Sequence, residues 1–499
     1  MRTDYRRFII LLIIGVLSIG CTDLDLPNEL EPDQKRVLSD IESVMDIAGN
    51  SFRGWHNGMQ DFYSLAFPLA VMADHLTCSW GITRDYSWEP RNSVPEYPNS
   101  TEWSYSFQQI GQWEESYKAI HLSNSILRWL DEAGSTITEE QNALLEAFSL
   151  FTSGVSHGYL GLVFDQAVVV EYNSIYSNAV PVPWGEVIEK SLEMLDKSIE
   201  ISEAISFSVP PDWVGGQEMT NLDLAALANG YAARILAYSS RTKAHNDAID
   251  WNRVLSYAQN GLEVDFEPYL GIDWFDDYWV YGRMYGWGRV DMRIVNLMDH
   301  DYPSRWPADN SSWNTPDGSD PGPATPGDDR LLSDFSYLND NTFPPDRGYY
   351  HWSHYRFSRY DYLSATVWYG IGPRPTFMAW EVRLIEAEAL LRLGDSEGAI
   401  AILNDVSGPR KVRGGLPDVL LSDDILRYIL DEKEIECFCT GTGISFFDIR
   451  RTDRLQRGTW LHFPIPATEL GLLLVPHYTI HSFFDGIDGS AGNWTGWDE

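Results

Sequence analysis

Trp380-Glu-Val-Arg-Leu-Ile-Glu-Ala-Glu-Ala-Leu-Leu-Arg-Leu-Gly394-Asp-Ser-Glu-Gly-Ala399-Ile-Ala-Ile-Leu403-Asn404 reads as two helices back to back. Apolar residues recur at helical spacing up to Leu393, where Gly394 ends the first helix. The chain turns through Gly394-Asp395, and a second helix begins in which the small Ala399 faces back on the first.

Outward from this hairpin, the same period runs through most of the chain between Asp40 and Cys439. Trp113, Tyr117, Ile120 and Asn124 fall on one helical face. Ala143 to Phe164 is largely apolar, which predicts a helix buried on most sides. Val187 to Ile201 is amphipathic, and Leu222 to Tyr238 carries the small residues that let helices approach closely. Asp250 is placed to cap a helix that begins at Trp251 and runs through Leu262. Helix, Gly-Asp turn and small residue together form a hairpin of tetratricopeptide type. No exact repeat length survives, so the expected fold is mainly α: degenerate hairpins in one large domain. Between about 273 and 380 the period collapses into a stretch rich in Trp, Tyr, Pro, Gly and Asp. That stretch reads as an irregular, aromatic-rich insertion.

The 499 residues hold 36 Lys+Arg against 73 Asp+Glu, a formal net charge of −37. Nucleic acid is excluded as a partner, because phosphate binding needs a basic surface. With 44% hydrophobic residues there is ample material for a core.

Arg2, Arg6 and Arg7 precede the apolar run Phe8 to Ile19, too short to span a bilayer but suited to an export signal. Gly20-Cys21 resembles the cleavage box of bacterial lipoproteins, in which the cysteine is acylated. An ordinary secretory signal with an incidental cysteine is the alternative. The expected division is a signal peptide over 1–20, a lipidated Cys21 with a flexible tether over 21–38, and the domain over 39–499. Thr22-Asp23-Leu24-Asp25 resembles the acidic export tag of surface lipoproteins in Bacteroidetes-type bacteria. Cys78, Cys437 and Cys439 remain; a disulfide from Cys78 to one of the others is open, and buried free thiols are the expectation.

Gly154-Val-Ser156-His-Gly158 matches the G-x-S-x-G pattern of hydrolases. It lies in an apolar helical run with no strand before it, so helix packing explains its glycines better than catalysis does. His351/His354 and His477/His481 have loose metal-ligand spacing and read as structural histidines; no metal or cofactor is expected. The aromatic excess of 20 Trp, 26 Tyr and 21 Phe carries more. Flat rings with a polar tip stack on sugar rings or peptide groups, and rings in Gly/Pro/Asp-rich loops are harder to bury than rings in helices. Two clusters are the ligand-binding candidates. One is Trp80, Arg84, Tyr86 and Trp88; the other is Trp274, Tyr278, Trp279 and Trp287, with Tyr281 and Tyr285 between them.

The landmarks together resemble a family. Met72-Ala-Asp74, Trp113…Tyr117…Ile120…Asn124, Arg383-Leu-Ile-Glu386-Ala-Glu388-Ala-Leu-Leu with Asn404, Glu432-Lys-Glu434-Ile-Glu436…Gly441…Phe447-Asp448-Ile-Arg450-Arg451, and Phe463-Pro-Ile-Pro466-Ala-Thr-Glu469 occur in the order found in SusD/RagB-type nutrient-binding lipoproteins. Thr440 departs from that pattern, in which a glutamate precedes the glycine. The resemblance implies a non-catalytic helical-repeat protein at the outer membrane, lipid-anchored and surface-exposed. It would serve as a lid on a SusC-like TonB-dependent transporter and capture oligosaccharides, or peptides, for import. The motif Glu and Arg residues are expected to pair within the fold rather than meet a ligand. A helical scaffold binding only protein partners, and a hydrolase using Ser156, are the competing readings.

Overall fold

The computed structural model describes residues 40–78, 96–133, 137–174, 180–284, 286–304, 322–339, 353–363, 370–456 and 458–481. The chain divides into two compact units, residues 1–46 and 47–499. In the first, Asp40 caps a helix: its Oδ1 accepts from Ser43 N at 2.9 Å and its Oδ2 from Ser43 Oγ at 3.1 Å.

In chain order the helices are α1 (Ile41–Gln60), α2 (Ala66–Met72), α3 (Ser106–Ala133), α4 (Glu139–Val163), α5 (Trp184–Ala204), α6 (Asn221–Tyr238), α7 (Lys243–Asp247), α8 (Trp251–Gln259) and α9 (Asp277–Arg283). They continue as α10 (Met292–Met298), α11 (Arg330–Ser333), α12 (Ala379–Arg392), α13 (Ser396–Leu403), α14 (Pro409–Val412), α15 (Ile425–Glu436), α16 (Ile444–Arg451) and α17 (Ala467–Leu472). Among the described residues, strands occur only as short antiparallel pairs. Two matter here: β1 (Leu76–Cys78) pairs with β2 (Gly288–Val290) in the register Leu76↔Val290 and Cys78↔Gly288, and β3 (Phe335–Tyr337) pairs with β4 (Tyr355–Phe357).

The sequence period is realised as a run of neighbouring helices: α3 packs on α4, α4 on α5, α5 on α6, α6 on α8, α8 on α12, and α12 on both α13 and α15. Capping fixes the starts. Thr138 and Gln141 form a reciprocal capping box on α4, and Thr220 with Asp223 does the same on α6. Asp250 accepts from Asn252 N and Arg253 N to open α8, as its position predicts. At the α12–α13 turn Gly394 has φ +94°, a backbone region that favours glycine, and Asp395 Oδ1 then accepts from Gly398 N at 2.8 Å. Leu384, Ala387, Ala399, Ile402, Leu403, Val419, Ile425 and Ile429 close the core of this hairpin. Each of its fully buried large aliphatics contributes roughly 1.5–3 kcal/mol.

The G-x-S-x-G glycines serve close packing. A Cβ at Gly154 would lie 2.8 Å from Leu195 Cγ, and one at Gly158 would lie 2.3 Å from Ile235 Cδ1. Ser156 is wholly buried inside α4, its hydroxyl donating to Thr152 O at 2.7 Å, so it stands on no nucleophile elbow. His157 beside it is buried and accepts from Val170 N at 3.2 Å; burial lowers its pKa to about 4 and keeps it neutral.

The motif glutamates Glu388, Glu432 and Glu434 and the motif arginine Arg451 form buried ion pairs, as expected. Arg234 pairs with Glu381 at 2.6 Å, and Arg293 binds both oxygens of Glu434 at 2.8 and 2.6 Å. Arg330 binds Asp328 and Glu432, while Glu388 receives Arg451 and Lys433. These pairs join α6 to α12, α10 to α15, and α12 to α15 and α16. In the α3 motif, Tyr117 Oη donates to Val168 O and accepts from Val168 N, both at 2.8 Å, and Asn124 Nδ2 donates to Val170 O at 2.8 Å. The motif thus clamps the strand-like segment after α4. Thr440, the departure from the family pattern, is buried with its hydroxyl donating to Cys437 O at 2.9 Å. Cys78, Cys437 and Cys439 are buried, and no disulfide joins them among the described residues.

Candidate ligand-binding surface

The irregular stretch contains more order than its sequence shows, and that order separates its aromatic residues. In α9, Asp276 caps the first turn by accepting from Trp279 N at 2.7 Å and pairs with Arg374. The helix turns Tyr278 and Trp279 inward. Trp279 is fully buried, with the Arg283 and Arg374 guanidinium carbons 4.5 and 5.0 Å from its ring centroid. Tyr278 lies edge-on to Phe67 at 6.1 Å, and Trp274 packs on His56 at 4.9 Å and on Phe52 and Phe266. Burial lowers the pKa of His56 to about 4, so this neighbour is a neutral ring. Trp274, Tyr278 and Trp279 were expected to line a ligand site; the structure makes them core residues instead: α9 and its cap deliver Tyr278 and Trp279 inward, and the Asn57 bonds to Asp273 O and Phe275 N hold Trp274 against α1. Trp80, Arg84, Tyr86 and Trp88 lie outside the described residues.

Trp287 is different. It is half-buried in the turn before β2, 4.9 Å from Tyr281 and 6.3 Å from Phe62. Phe62 lies 4.8 Å from Tyr281 and 5.4 Å from Tyr63, and Tyr63 lies 5.3 Å from Phe107 at the start of α3. Tyr63 is 59% exposed, and Phe62, Phe107 and Tyr281 are half-buried. Four separate parts of the chain therefore build one aromatic ridge. Cys78, after which the first predicted cluster begins, pairs with Gly288, the residue after Trp287.

The ridge is held from below. Asp61 Oδ1 accepts from Tyr63 N at 2.6 Å and so fixes the turn after α1. Gly111 lets that turn sit directly on α3: a Cβ there would lie 2.5 Å from Tyr63 O. Asn57 donates to Asp273 O at 2.7 Å and accepts from Phe275 N at 3.2 Å, which ties α1 to the approach to α9. Two carboxyl groups lie at the foot of the ridge. Burial, and then the charges of Asp61 and Asp276, raise Asp277 to about 6; burial and Glu115 raise Asp61. Such groups accept hydrogen bonds from hydroxyls at neutral pH at a lower desolvation cost than a fully hydrated carboxylate. Phe62, Tyr63 and Asp61 were missed in the sequence because they lie outside the two Trp/Tyr-rich clusters and meet Tyr281 only in the folded chain.

A cavity of about 520 Å³ opens elsewhere, walled by Trp113, Ile120, Val168, Val170 and Leu473. The Tyr117 hydroxyl at its edge is occupied by both Val168 bonds, so the cavity offers apolar surface with few directed polar groups. No helix among the described residues is long and apolar enough to cross a membrane. No group of three or more metal-ligating side chains occurs among them either.

The SusD family model (SusD_RagB) matches residues 332–469. These run from α11 through α17, which carry the glutamates Glu381, Glu388, Glu432 and Glu434 of the buried ion pairs. Among solved structures, a SusD-like protein from Bacteroides fragilis is 16% identical with a TM-score of 0.59, over 84% of this chain and 87% of its own. A SusD-like carbohydrate binding protein from Bacteroides vulgatus is 18% identical with a TM-score of 0.54, over 83% of each chain. Surface glycan-binding protein A from Bacteroides uniformis is 14% identical with a TM-score of 0.53, over 80% of this chain and 85% of its own. No curated protein matches the chain. At these identities the solved structures establish a SusD-like fold, and the SusD family model matches the C-terminal stretch of it over residues 332–469.

Proposed function

We propose that this chain is a non-catalytic glycan-binding lipoprotein of the outer membrane, anchored through Cys21. On this reading it hands oligosaccharides to a SusC-like TonB-dependent transporter. The observation that carries the binding reading is the ridge of Phe62, Tyr63, Tyr281, Trp287 and Phe107, part-exposed on a SusD-like fold. Rings presented in this way pack against the C–H faces of sugars, and Asp61 and Asp277 supply acceptors for the hydroxyls. The named relatives that bind carbohydrate or glycan support the same direction. Ser156, buried and bonded inside α4, gives a hydrolase reading no support.

The test is titration of the soluble chain, starting at Thr22, with a panel of neutral oligosaccharides and peptides, followed by tryptophan fluorescence. Saturable binding to one glycan class, weakened at least tenfold by Tyr63→Ala and by Trp287→Ala, is expected. Peptide binding, or glycan binding indifferent to both substitutions, would overturn the reading. Cys21→Ala is expected to release the protein from the outer membrane. Retained anchorage with no acyl mass on the N-terminal peptide would refute the lipidation.

A further inference from the structure

A polar cavity of about 370 Å³ lies between the end of α10, the 325–328 segment, α14 and α15. Its volume is at the small end of ligand sites, which run from about 300 to 1,000 Å³. Arg410 lines it and is only 5% exposed. Its Nη2 donates to Pro417 O at 3.0 Å and its guanidinium carbon sits 5.1 Å from the Tyr428 ring centroid. Its Nε has no partner, and no carboxylate among the described residues pairs with it. A buried guanidinium without a counter-charge is costly unless something else satisfies it, and burial pulls this one's pKa below its ordinary value.

Three of the wall carboxylates, Asp299, Asp328 and Glu432, are committed elsewhere. Asp328 and Glu432 bind Arg330; Asp299 accepts from Asp301 N at 3.1 Å and from Thr325 N at 2.8 Å. Asp431 gives one oxygen to Arg427 at 2.7 Å; its other oxygen, Oδ1, makes no hydrogen bond and lies 3.7 Å from Arg454 Nη2 as an ion pair. The cavity is thus walled by a donor, Arg410 Nε, and an acceptor, Asp431 Oδ1, that make no hydrogen bond within the protein. Tyr428 presents a ring that is 39% exposed.

We propose that this cavity is a second site, for one or two units of a neutral sugar, in which Arg410 donates to hydroxyl oxygens, Asp431 and Asp301 accept from hydroxyl hydrogens, and Tyr428 takes a C–H face. Hydroxyls suit this wall because each both donates and accepts. A ligand carboxylate would pair well with Arg410 in isolation. Here it would also face Asp299, Asp301, Asp328, Asp431 and Glu432 against two arginines, so the field favours an uncharged ligand. The site is separate from the aromatic ridge and does not depend on it.

The test uses the soluble chain carrying Tyr63→Ala and Trp287→Ala, so that ridge binding is silenced. Maltose, cellobiose, xylobiose and N-acetylglucosamine are titrated by ligand-observed NMR, with glucuronate as the anionic comparison. At least one neutral probe is expected to bind, and adding Arg410→Gln or Tyr428→Ala is expected to weaken it at least tenfold. Should Arg410→Gln fail to fold, Tyr428→Ala, at a part-exposed position, decides alone. No neutral probe binding, binding unchanged by Tyr428→Ala, or preference for glucuronate would each overturn the proposal. Failure of the ridge reading would be seen separately, as unchanged binding in Tyr63→Ala and Trp287→Ala alone.

Discussion

Replacing Glu434 by Gln should cost about 3 kcal/mol at neutral pH, and the loss should fade on acidification. Glu434 is 2% exposed and accepts both arms of Arg293, at 2.8 and 2.6 Å, with Ser445 Oγ donating at 2.8 Å. The same Arg293 donates to Asp74 O and Ala73 O at 3.1 Å, so one pair ties α15 to α10 and to the end of α2. Against the burial that would raise it, Arg293 first, through charge and hydrogen bonds, and then Arg454 hold the Glu434 carboxyl down, from 4.5 to about 2. A carboxyl depressed in the folded state stabilises above its unfolded pKa, and the contribution is lost as pH falls through its folded pKa. A shift of that size corresponds to about 3 kcal/mol at pH 7 and to roughly half of that at pH 3. The independent range for breaking a buried pair, about 3–5 kcal/mol, agrees. Urea denaturation of wild type and Glu434→Gln, followed by both fluorescence and circular dichroism at pH 7 and pH 3, measures the difference. A loss under about 1 kcal/mol at pH 7, or one that does not shrink at pH 3, would refute the reasoning.

Trp279→Ala should destabilise by about 3–5 kcal/mol, as a buried aromatic truncation does, whereas Trp287→Ala should cost clearly less and instead impair glycan binding. Thermal melts alongside titrations separate the two. Asp277→Asn should be more stable than wild type at pH 7, because the raised carboxyl is costly to ionise above about pH 6, and the advantage should vanish below about pH 4. Melting temperatures across that window check the sign. Cys78, Cys437 and Cys439 should be inert to a thiol reagent until the chain is unfolded and then react together, since burial raises the Cys439 thiol to about 12. Fast labelling of the native protein would contradict their burial. Gly154→Leu should cost at least about 1–3 kcal/mol by forcing Leu195 and α5 away from α4, read by denaturant midpoint.

The amino-acid sequence by itself determined the helical scaffold. Local signals carry it: the Gly394-Asp395 turn, the caps at Thr138, Thr220 and Asp250, and the small residues of α4 and α6. It also marked the acids and arginines of the C-terminal motifs as structural, since regular spacing along an apolar stripe is what pairing between helices requires. Which aromatics face solvent was not legible there. Trp279 and Trp287 lie eight residues apart in one Trp/Tyr-rich run, yet one is sealed between two arginines and the other stands on a ridge. Exposure is a property of what packs on a side chain, and here that is set by α1, α3 and the residues near 370, distant in sequence. The same holds for Phe62 and Tyr63, which meet Tyr281 only after the chain has folded, and for Arg410, whose buried Nε is left without a partner only by the tertiary packing around it.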